Sequence, residues 1–156
     1  MDDSALLAKC VARGYQGSGP GGQHRNKTNS GVELTLDFHN LEIRCCEDRS
    51  GQVNRLLALH RLRIKIALEV RCPPLPFPPF AFPGSNGRIQ VSNVLFARFW
   101  ADVLDRIEAL DGAIPPAAAA WGLSSSALVR IAFQEKAIID NLQKMRVRHG
   151  KALLKQ

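Results

Sequence analysis

Two short segments near the start of the chain alternate apolar and polar residues with a period of two. They cover Val32–Phe38 and Leu41–Cys45, and His39 and Asn40 stand between them. Alternation of this kind places successive side chains on opposite faces of a strand, and a two-residue connection is typical of a hairpin. We therefore predict a β-hairpin with one buried face.

The segment that follows has the periodicity of a long helix, from Arg49 to about Val70. One set of apolar residues at helical spacing is predicted to pack on the hairpin: Val53, Leu56, Leu57, Ile64, Ala67 and Leu68. A second set lies on the opposite side and contains Leu59, Leu62 and Ile66. Two apolar stripes predict a helix that lies between a small sheet and a further layer.

Residues 73–83 contain six of the nine prolines and can form neither a helix nor a central strand. This segment is the clearest internal boundary of the chain. We favour a stiff linker whose phenylalanines pack back on the protein over a ligand for a domain that recognises polyproline II.

After the prolines, apolar residues again recur at helical spacing through residues 94–149. The first series is aromatic and is predicted to form a core rather than a cofactor site: Phe96, Phe99, Trp100, Val103, Ile107 and Leu110. The second series contains Leu128, Ile131, Ile138, Leu142 and Met145. The fold class is therefore α+β: a small antiparallel sheet packed on a long helix (1–72), a Pro/Gly-rich linker (73–93) and an α-helical appendage with a short basic end (94–156).

Part of the appendage also matches the spacing of a helix-turn-helix. The matching positions are Ala118, Gly122, Leu123, Leu128 and Ile131, with Ser124–Ser126 at the start of the second helix. Only Arg130 supplies a positive charge near that start, which is poor for reading bases in a groove. We favour a plain helical hairpin here.

Composition and charge narrow the class of protein. The chain has 156 residues, 46% of them hydrophobic, and a net charge of +7, which indicates a folded domain with a polyanionic partner. No apolar run approaches the roughly 18 residues of a membrane helix, and no targeting segment is visible, so we expect a cytoplasmic protein without a membrane partner. The four cysteines lack the spacing of a zinc site, and we expect free thiols, no metal and no cofactor.

The most informative segment is rich in glycine and runs from Gly17 to Ser30. It is not a Walker A loop, because Gly22 stands five residues before Lys27 and no buried strand precedes the loop. It is not a dinucleotide fingerprint either, since no helix follows the glycines. What remains is a distinctive order: two adjacent glycines, a glutamine, and then His-Arg-Asn-Lys-Thr.

This order resembles the GGQ loop of the class I peptide chain release factors. The resemblance continues through the hairpin to Glu47–Arg55, which is similar to the family's Arg-Ser-Gln element with Gly51 as a one-residue insertion. It covers roughly residues 8–71. It implies hydrolysis of the ester that joins a nascent peptide to P-site tRNA, with Gly21, Gly22 and Gln23 as the catalytic residues.

The resemblance also implies partners and contacts. The partners would be the ribosome, through large-subunit rRNA at the peptidyl transferase centre, and peptidyl-tRNA, with a glutamine methyltransferase acting on Gln23. The implied RNA-binding residues are Ser18, His24, Arg25, Asn26, Lys27, Thr28, Arg49 and Arg55. Family members commonly have an apolar residue at the position of Arg25, and Arg49 could instead complement the nearby Glu47 and Asp48.

Full release factors carry a codon-reading domain for which 156 residues leave no room, so we expect codon-independent release of the ribosome-rescue type. The basic end, Lys144–Gln156, is shorter than the long tail of many stand-alone rescue hydrolases. The alternative is a non-catalytic RNA-binding or helix-turn-helix-like regulatory module built on the same scaffold.

Overall fold

The computed structural model describes residues 3–15, 30–36 and 39–155. The described elements are α1 (Asp3–Leu7), β1 (Val11–Tyr15), β2 (Gly31–Leu36), β3 (Leu41–Cys45), α2 (Gly51–Glu69), α3 (Phe96–Ala109), α4 (Ile114–Ala120), α5 (Ser125–Ala132) and α6 (Lys136–Arg148). The chain divides into two compact units, Met1–Ile66 and Ala67–Gln156. The α+β fold class is confirmed.

The first unit is built on a three-stranded antiparallel sheet in the order β1-β2-β3. In the predicted hairpin, Leu36 pairs with Leu41 and Val32 pairs with Cys45. Its buried side chains are Leu34, Leu36, Leu41 and Cys45. The period-two alternation therefore predicted both the hairpin and its buried face correctly.

The buried side of α2 differs from the prediction in its first turns. Ile64 and Ala67 of the first predicted set and Leu59 and Leu62 of the second are buried as predicted. Val53 and Leu56, however, are 40% and 55% exposed, and Asn54 is buried instead. The physical reason is that the amide of Asn54 bonds main-chain groups of residues 30 and 48, which turns this side of the helix inward. Val53, about 100° further round the helix, then points to solvent.

The second unit contains the predicted aromatic core. The side chains of Phe96, Phe99, Trp100, Val103 and Ile107 are fully buried along one side of α3. Leu110, the last residue of the predicted series, is 40% exposed, because α3 ends at Ala109. The second predicted series, from Leu128 to Met145, is divided between α5 and α6. The helix α4 carries no apolar periodicity of its own beyond a run of alanines, and the periodicity did not predict it as a separate element.

The proline-rich segment packs on this second unit through two of its phenylalanines. The ring of Phe80 lies 5.1 Å from that of Trp121, and the ring of Phe82 lies 5.4 Å from that of Phe99, both in edge-to-face geometry. Phe77 is 79% exposed and does not take part, contrary to the prediction. The backbone of this segment has no regular structure, as its prolines require.

A buried ion pair within α3 is hydrogen-bonded to a residue at the end of α4. The guanidinium of Arg106 donates to both carboxylate oxygens of Asp102, across 2.6 and 3.1 Å. The indole of Trp121, at the end of α4, donates to the same carboxylate across 2.9 Å. Because both charged side chains are nearly inaccessible to water, the three groups satisfy one another.

The basic C-terminal end is held by hydrogen bonds. The side chain of Gln143 exchanges two bonds with the main chain of Leu154, each 2.8 Å long. Arg146 donates to the carbonyl oxygens of Ala152 and Gly112. Of the five positively charged residues of this end, Arg146 and Arg148 lie in the last turn of α6. Arg146 holds the residues that follow the helix.

Candidate functional site

The predicted catalytic residues and most predicted RNA contacts lie outside the described residues. They are Gly21, Gly22, Gln23, Ser18, His24, Arg25, Asn26, Lys27 and Thr28. What the structure places are the two points where the predicted loop joins the first unit, Tyr15 at the end of β1 and Gly31 at the start of β2. These two residues are a cross-strand pair, so both ends of the loop are attached to the same end of the sheet.

Gly31 is required at this position because the neighbouring strand approaches too closely for a side chain. A Cβ atom on Gly31 would lie 2.1 Å from the carbonyl oxygen of Tyr15 and 3.1 Å from the Cβ atom of Cys46. No side chain fits at such a distance from the main chain. The glycine thus permits the pairing that closes the base of the loop.

The other side of this base is fixed by Arg44. Its guanidinium lies over the ring of Tyr15, 5.4 Å from the ring centre, and pairs with Glu33 at 2.7 Å and Glu42 at 2.8 Å. The hydrogen bond to Glu33 and the charge of Glu42 raise the pKa of Arg44 above its ordinary value. These contacts favour the charged form of Arg44.

Asn54 connects the start of α2 to the C-terminal end of the loop. Its side-chain nitrogen donates to the carbonyl oxygens of Ser30 and Asp48, each across 2.8 Å, and its side-chain oxygen accepts from the main-chain N–H of Asp48 at 2.9 Å. The side chain is completely buried. Hydrophobic periodicity does not predict this role, although an asparagine between apolar positions of a predicted helix is a usable signal.

The turn before α2 is capped by neighbouring side chains. The hydroxyl of Ser50 accepts from the main-chain N–H of Val53 at 3.4 Å, and the carboxylate of Asp48 accepts from the N–H of Ser50 at 2.8 Å. A serine before the first helical turn satisfies donors that the helix itself leaves unpaired. The similarity to an Arg-Ser-Gln element thus coincides with a helix start.

A groove of about 650 Å³ lies where the loop base meets the first turn of α2. Two arginines line it, Arg13 from β1 and Arg55 from α2, together with Gln52 and the backbone of Ser30 and Gly31. Among the described residues, the lining contains no carboxylate, and the rest of it is apolar or glycine. The groove therefore carries positive charge beside the ends of the predicted catalytic loop, and it places Arg55 where a phosphate could be bound.

Arg49 lies outside this groove and is exposed. Within the part of the chain that the structure describes, it forms no ion pair with Glu47 or Asp48. Glu47 instead pairs with Arg61 through two bonds of 2.7 and 2.9 Å, which lower the pKa of this carboxyl below its ordinary value. Asp48 is used at the start of α2. The described contacts thus do not support the alternative that Arg49 complements Glu47 and Asp48. The contact of Arg49 with RNA stays a prediction.

The described ranges, 3–15, 30–36 and 39–155, contain no cluster of three or more residues that could hold a metal ion. Cys10, Cys45, Cys46 and Cys72 are free thiols. Within the same ranges, no helix is both long and apolar enough to span a lipid bilayer.

Comparison with known proteins agrees with this geometry. Residues 8–72 match the model of the RF-1 domain. The segment 8–72, whose described residues form an antiparallel sheet and a capped helix, therefore matches a GGQ domain of the class I release factor type.

Individual relatives agree with the domain match. Over 58 residues the chain is 41% identical to peptide chain release factor 2 of Neisseria meningitidis and 43% identical to peptide chain release factor 2 of Bordetella pertussis. Each aligned region is 36% of this chain and 16% of the relative, so the chain spans about a sixth of the length of these curated relatives. No solved structure matches the chain at a significant level.

Proposed function

We propose that this protein hydrolyses the peptidyl-tRNA ester on the ribosome, independently of the codon in the A site, as a ribosome-rescue or termination activity. The observation that carries the proposal is the Gly21-Gly22-Gln23 sequence inside the segment that matches the RF-1 domain. The loop base described above supports it, because Tyr15, Gly31 and Asn54 fix both attachment points of that sequence.

In the proposed reaction, water adds to the carbonyl carbon of the ester. The bond between this carbon and the ribose oxygen breaks, the peptide leaves as a carboxylic acid, and a proton from water restores the ribose hydroxyl. A glutamine is not a base at neutral pH, so Gln23 acts through hydrogen bonds and shape rather than by proton abstraction. Most of the rate then comes from positioning and from the surrounding RNA.

The adjacent glycines have a physical role in this proposal. Without Cβ atoms, Gly21 and Gly22 let the chain approach RNA closely and adopt dihedral angles that are closed to other residues. The main-chain N–H of Gln23 is then free to stabilise the developing oxyanion, a contribution of about 3 kcal/mol.

The positive charges near the loop would hold it against RNA. We propose that Arg55, on the wall of the 650 Å³ groove, and the exposed Arg49 contact the backbone of large-subunit rRNA. Ser18, His24, Arg25, Asn26, Lys27 and Thr28 are the corresponding contacts within the loop. Positively charged side chains without carboxylate partners are suited to phosphate, which supports this assignment.

Three further parts of the proposal rest on the same family. The site of action is the cytoplasm, the partners are the ribosome and its P-site peptidyl-tRNA, and Gln23 is the substrate of a glutamine methyltransferase. The mass of the native protein, determined after digestion, tests the last point. A peptide containing Gln23 at its unmodified mass would contradict it.

The decisive experiment measures release of a labelled peptide from ribosomes that hold peptidyl-tRNA, with an empty A site, a stop codon or a sense codon. We expect release in all three complexes, reduced roughly a hundredfold or more by Gly22→Ala. The matched control is Gly17→Ala, which adds the same methyl group outside the three catalytic residues and leaves release largely intact.

The outcomes separate the alternatives. Release at stop codons alone would contradict codon independence, and equal release by the wild type and Gly22→Ala would contradict the catalytic assignment. A protein that binds ribosomes but releases no peptide would be the non-catalytic module. That second candidate is favoured by one observation, the short Trp121–Ser124 connection between α4 and α5, which has the order of a helix-turn-helix.

A further inference from the structure

The second unit contains a groove of about 770 Å³ that is separate from the residues of the GGQ domain. Six polar residues line it: Ser85, Asn86, Arg88, Gln90, Asn93 and Arg130. Ser85 to Arg88 form a tight turn on one side, and Arg130 extends from α5 on the other. The two arginines thus face the same space from two different segments.

The turn that carries Arg88 is held in a defined shape. Ser85 and Arg88 exchange two main-chain hydrogen bonds of 3.0 and 2.9 Å, and Asn86 and Gly87 between them have φ angles of 49° and 65°. These left-handed angles are typical of a two-residue hairpin of type I′, which Asn-Gly favours. Ile89, directly after the turn, is 4% exposed and fastens it to the unit.

The turn is also packed against α5. A Cβ atom on Gly87 would lie 3.3 Å from the Cβ atom of Ala127, and a guanidinium nitrogen of Arg130 donates to the carbonyl oxygen of Gly87 at 3.2 Å. This one bond orients Arg130 and leaves its other N–H groups available. Arg130 is therefore oriented before any ligand arrives, and the turn holds the backbone that carries Arg88 in a defined shape.

The charged residues in the sequence around the groove are all positive. Residues 70–101 and 112–134 contain Arg71, Arg88, Arg98 and Arg130 and no aspartate or glutamate. Within the described residues, neither Arg88 nor Arg130 forms an ion pair, whereas Arg71 pairs with Asp105 at 3.0 Å. On the same side of α5 as Arg130, the exposed residue four positions earlier is Ser126, and Gln134 is exposed just after the end of the helix. The surface therefore presents hydrogen-bond donors and positive charge without a competing anion.

From these observations we propose that the groove between the Ser85–Arg88 turn and α5 binds the phosphodiester backbone of RNA, as a second contact independent of the GGQ loop. Arginine and amide side chains are the groups that most often bind phosphate and ribose. Among the described residues, the lining has no aromatic ring on which a base could stack, so the backbone rather than the bases is recognised. Binding through this groove would increase affinity for the ribosome without changing the hydrolytic step.

The test is binding of a fluorescein-labelled RNA hairpin of about twelve base pairs to the full chain, measured by anisotropy at several salt concentrations. We expect the double variant Arg88→Ala/Arg130→Ala to bind roughly tenfold more weakly at 0.1 M salt, with the logarithmic salt slope smaller by about two. The control is Arg98→Ala/Lys136→Ala, which removes the same charge at exposed positions of the same unit that do not line the groove. Thermal unfolding of both double variants shows whether they are folded.

Several results would overturn the proposal. One is equal binding by the wild type and the groove variant, and another is an equal loss in the groove and control variants, which would indicate net charge alone. A DNA duplex of the same sequence that binds much more tightly than the RNA would also contradict it and would indicate a DNA-binding module. Because the anisotropy assay involves no peptide release, failure of the hydrolysis proposal leaves this result unaffected, and the reverse holds too.

Discussion

The buried side-chain amide of Asn54 donates to the main-chain carbonyl oxygen of Ser30 across 2.8 Å. Ser30 is the residue through which the GGQ segment returns to the sheet, and Asn54 lies in the first turns of α2. The same amide bonds the main chain of Asp48 in both directions. One side chain thus connects the loop, the turn and the helix of the GGQ domain.

Replacing Asn54 removes three hydrogen bonds to the main chain at once. Asn54→Ala takes this partner from part-buried main-chain groups of Ser30 and Asp48, which costs about 1–3 kcal/mol for each group that water cannot reach. We expect a loss of unfolding free energy of roughly 2–4 kcal/mol in chemical denaturation. Peptide release at a temperature where the variant is folded should decrease as well, because the loop end is no longer held.

The control for that experiment is Gln52→Ala, an exposed change in the same helix. It should alter unfolding free energy by less than about 0.5 kcal/mol. If Asn54→Ala were as stable as Gln52→Ala, the three hydrogen bonds would not be holding the loop base.

Gly31 and Gly51 are a matched pair for testing the close approach at the loop base. A Cβ atom on Gly31 would meet the carbonyl oxygen of Tyr15 at 2.1 Å, whereas one on Gly51 would lie 3.6 Å from that of Ser30, an ordinary contact. We expect Gly31→Ala to destabilise the protein by about 1–3 kcal/mol through displacement of β1. Gly51→Ala should be neutral or stabilising by up to about 0.5 kcal/mol, since alanine favours the helix. Thermal unfolding of the two variants decides between these outcomes, and equal melting temperatures would refute the steric argument.

Removing the charge of only one partner of the Asp102–Arg106 pair is expected to lower the free energy of unfolding. Asp102→Asn keeps an acceptor for Trp121 but leaves the buried guanidinium of Arg106 without a counter-charge, which should cost about 3 kcal/mol. Asp140→Asn, the same change at an exposed position of α6, should cost less than about 0.5 kcal/mol.

Removing the charge of Arg106 as well tests whether the unpaired buried charge causes this loss of stability. Asp102→Asn/Arg106→Met should recover much of the lost stability in urea denaturation, because no unpaired charge is then buried. A double variant that is less stable than Asp102→Asn would show that packing, not charge, dominates here.

The pair between Glu47 and Arg61 predicts a dependence on pH. Arg61 lowers the pKa of Glu47, so the folded state binds this proton less readily than the unfolded state. The stabilisation is therefore complete above the ordinary pKa of a glutamate, about 4.3, and is lost as the pH falls through the lowered value. Since Glu47 is 58% exposed, the contribution is small, about 0.5 kcal/mol at neutral pH.

Urea denaturation of the wild type and Glu47→Gln at pH 7 and near pH 3 measures this contribution. The difference in unfolding free energy should be present at pH 7 and absent at the acidic pH. A difference that grew on acidification would have the wrong sign and would contradict the assignment.

Elements of both units could be predicted from local sequence. The alternation in Val32–Phe38 and Leu41–Cys45 predicted the hairpin, because the period of a strand depends only on its own residues. The aromatic spacing from Phe96 to Ile107 predicted α3 and its core in the same way. The order Gly-Gly-Gln followed by His-Arg-Asn-Lys-Thr indicated the family, because this order of residues is distinctive and can be read directly from the sequence.

Other features depended on the tertiary structure. The buried side of α2 was predicted wrongly at Val53 and Leu56, because hydrophobicity alone ranks a valine above the asparagine that bonds Ser30 and Asp48. Arg88 and Arg130 are 42 positions apart in sequence and share a groove only through the packing of the turn on α5.

The sequence by itself thus determined the hairpin, the long helices α2 and α3, the family that residues 8–72 match and the positive charge of the chain. The tertiary structure decided which residues hold the base of the loop and which arginines lie side by side. Periodicity and motif order are local properties of the chain. Hydrogen bonds such as that from Asn54 to Ser30 instead join residues distant in sequence, and only folding brings their atoms within reach.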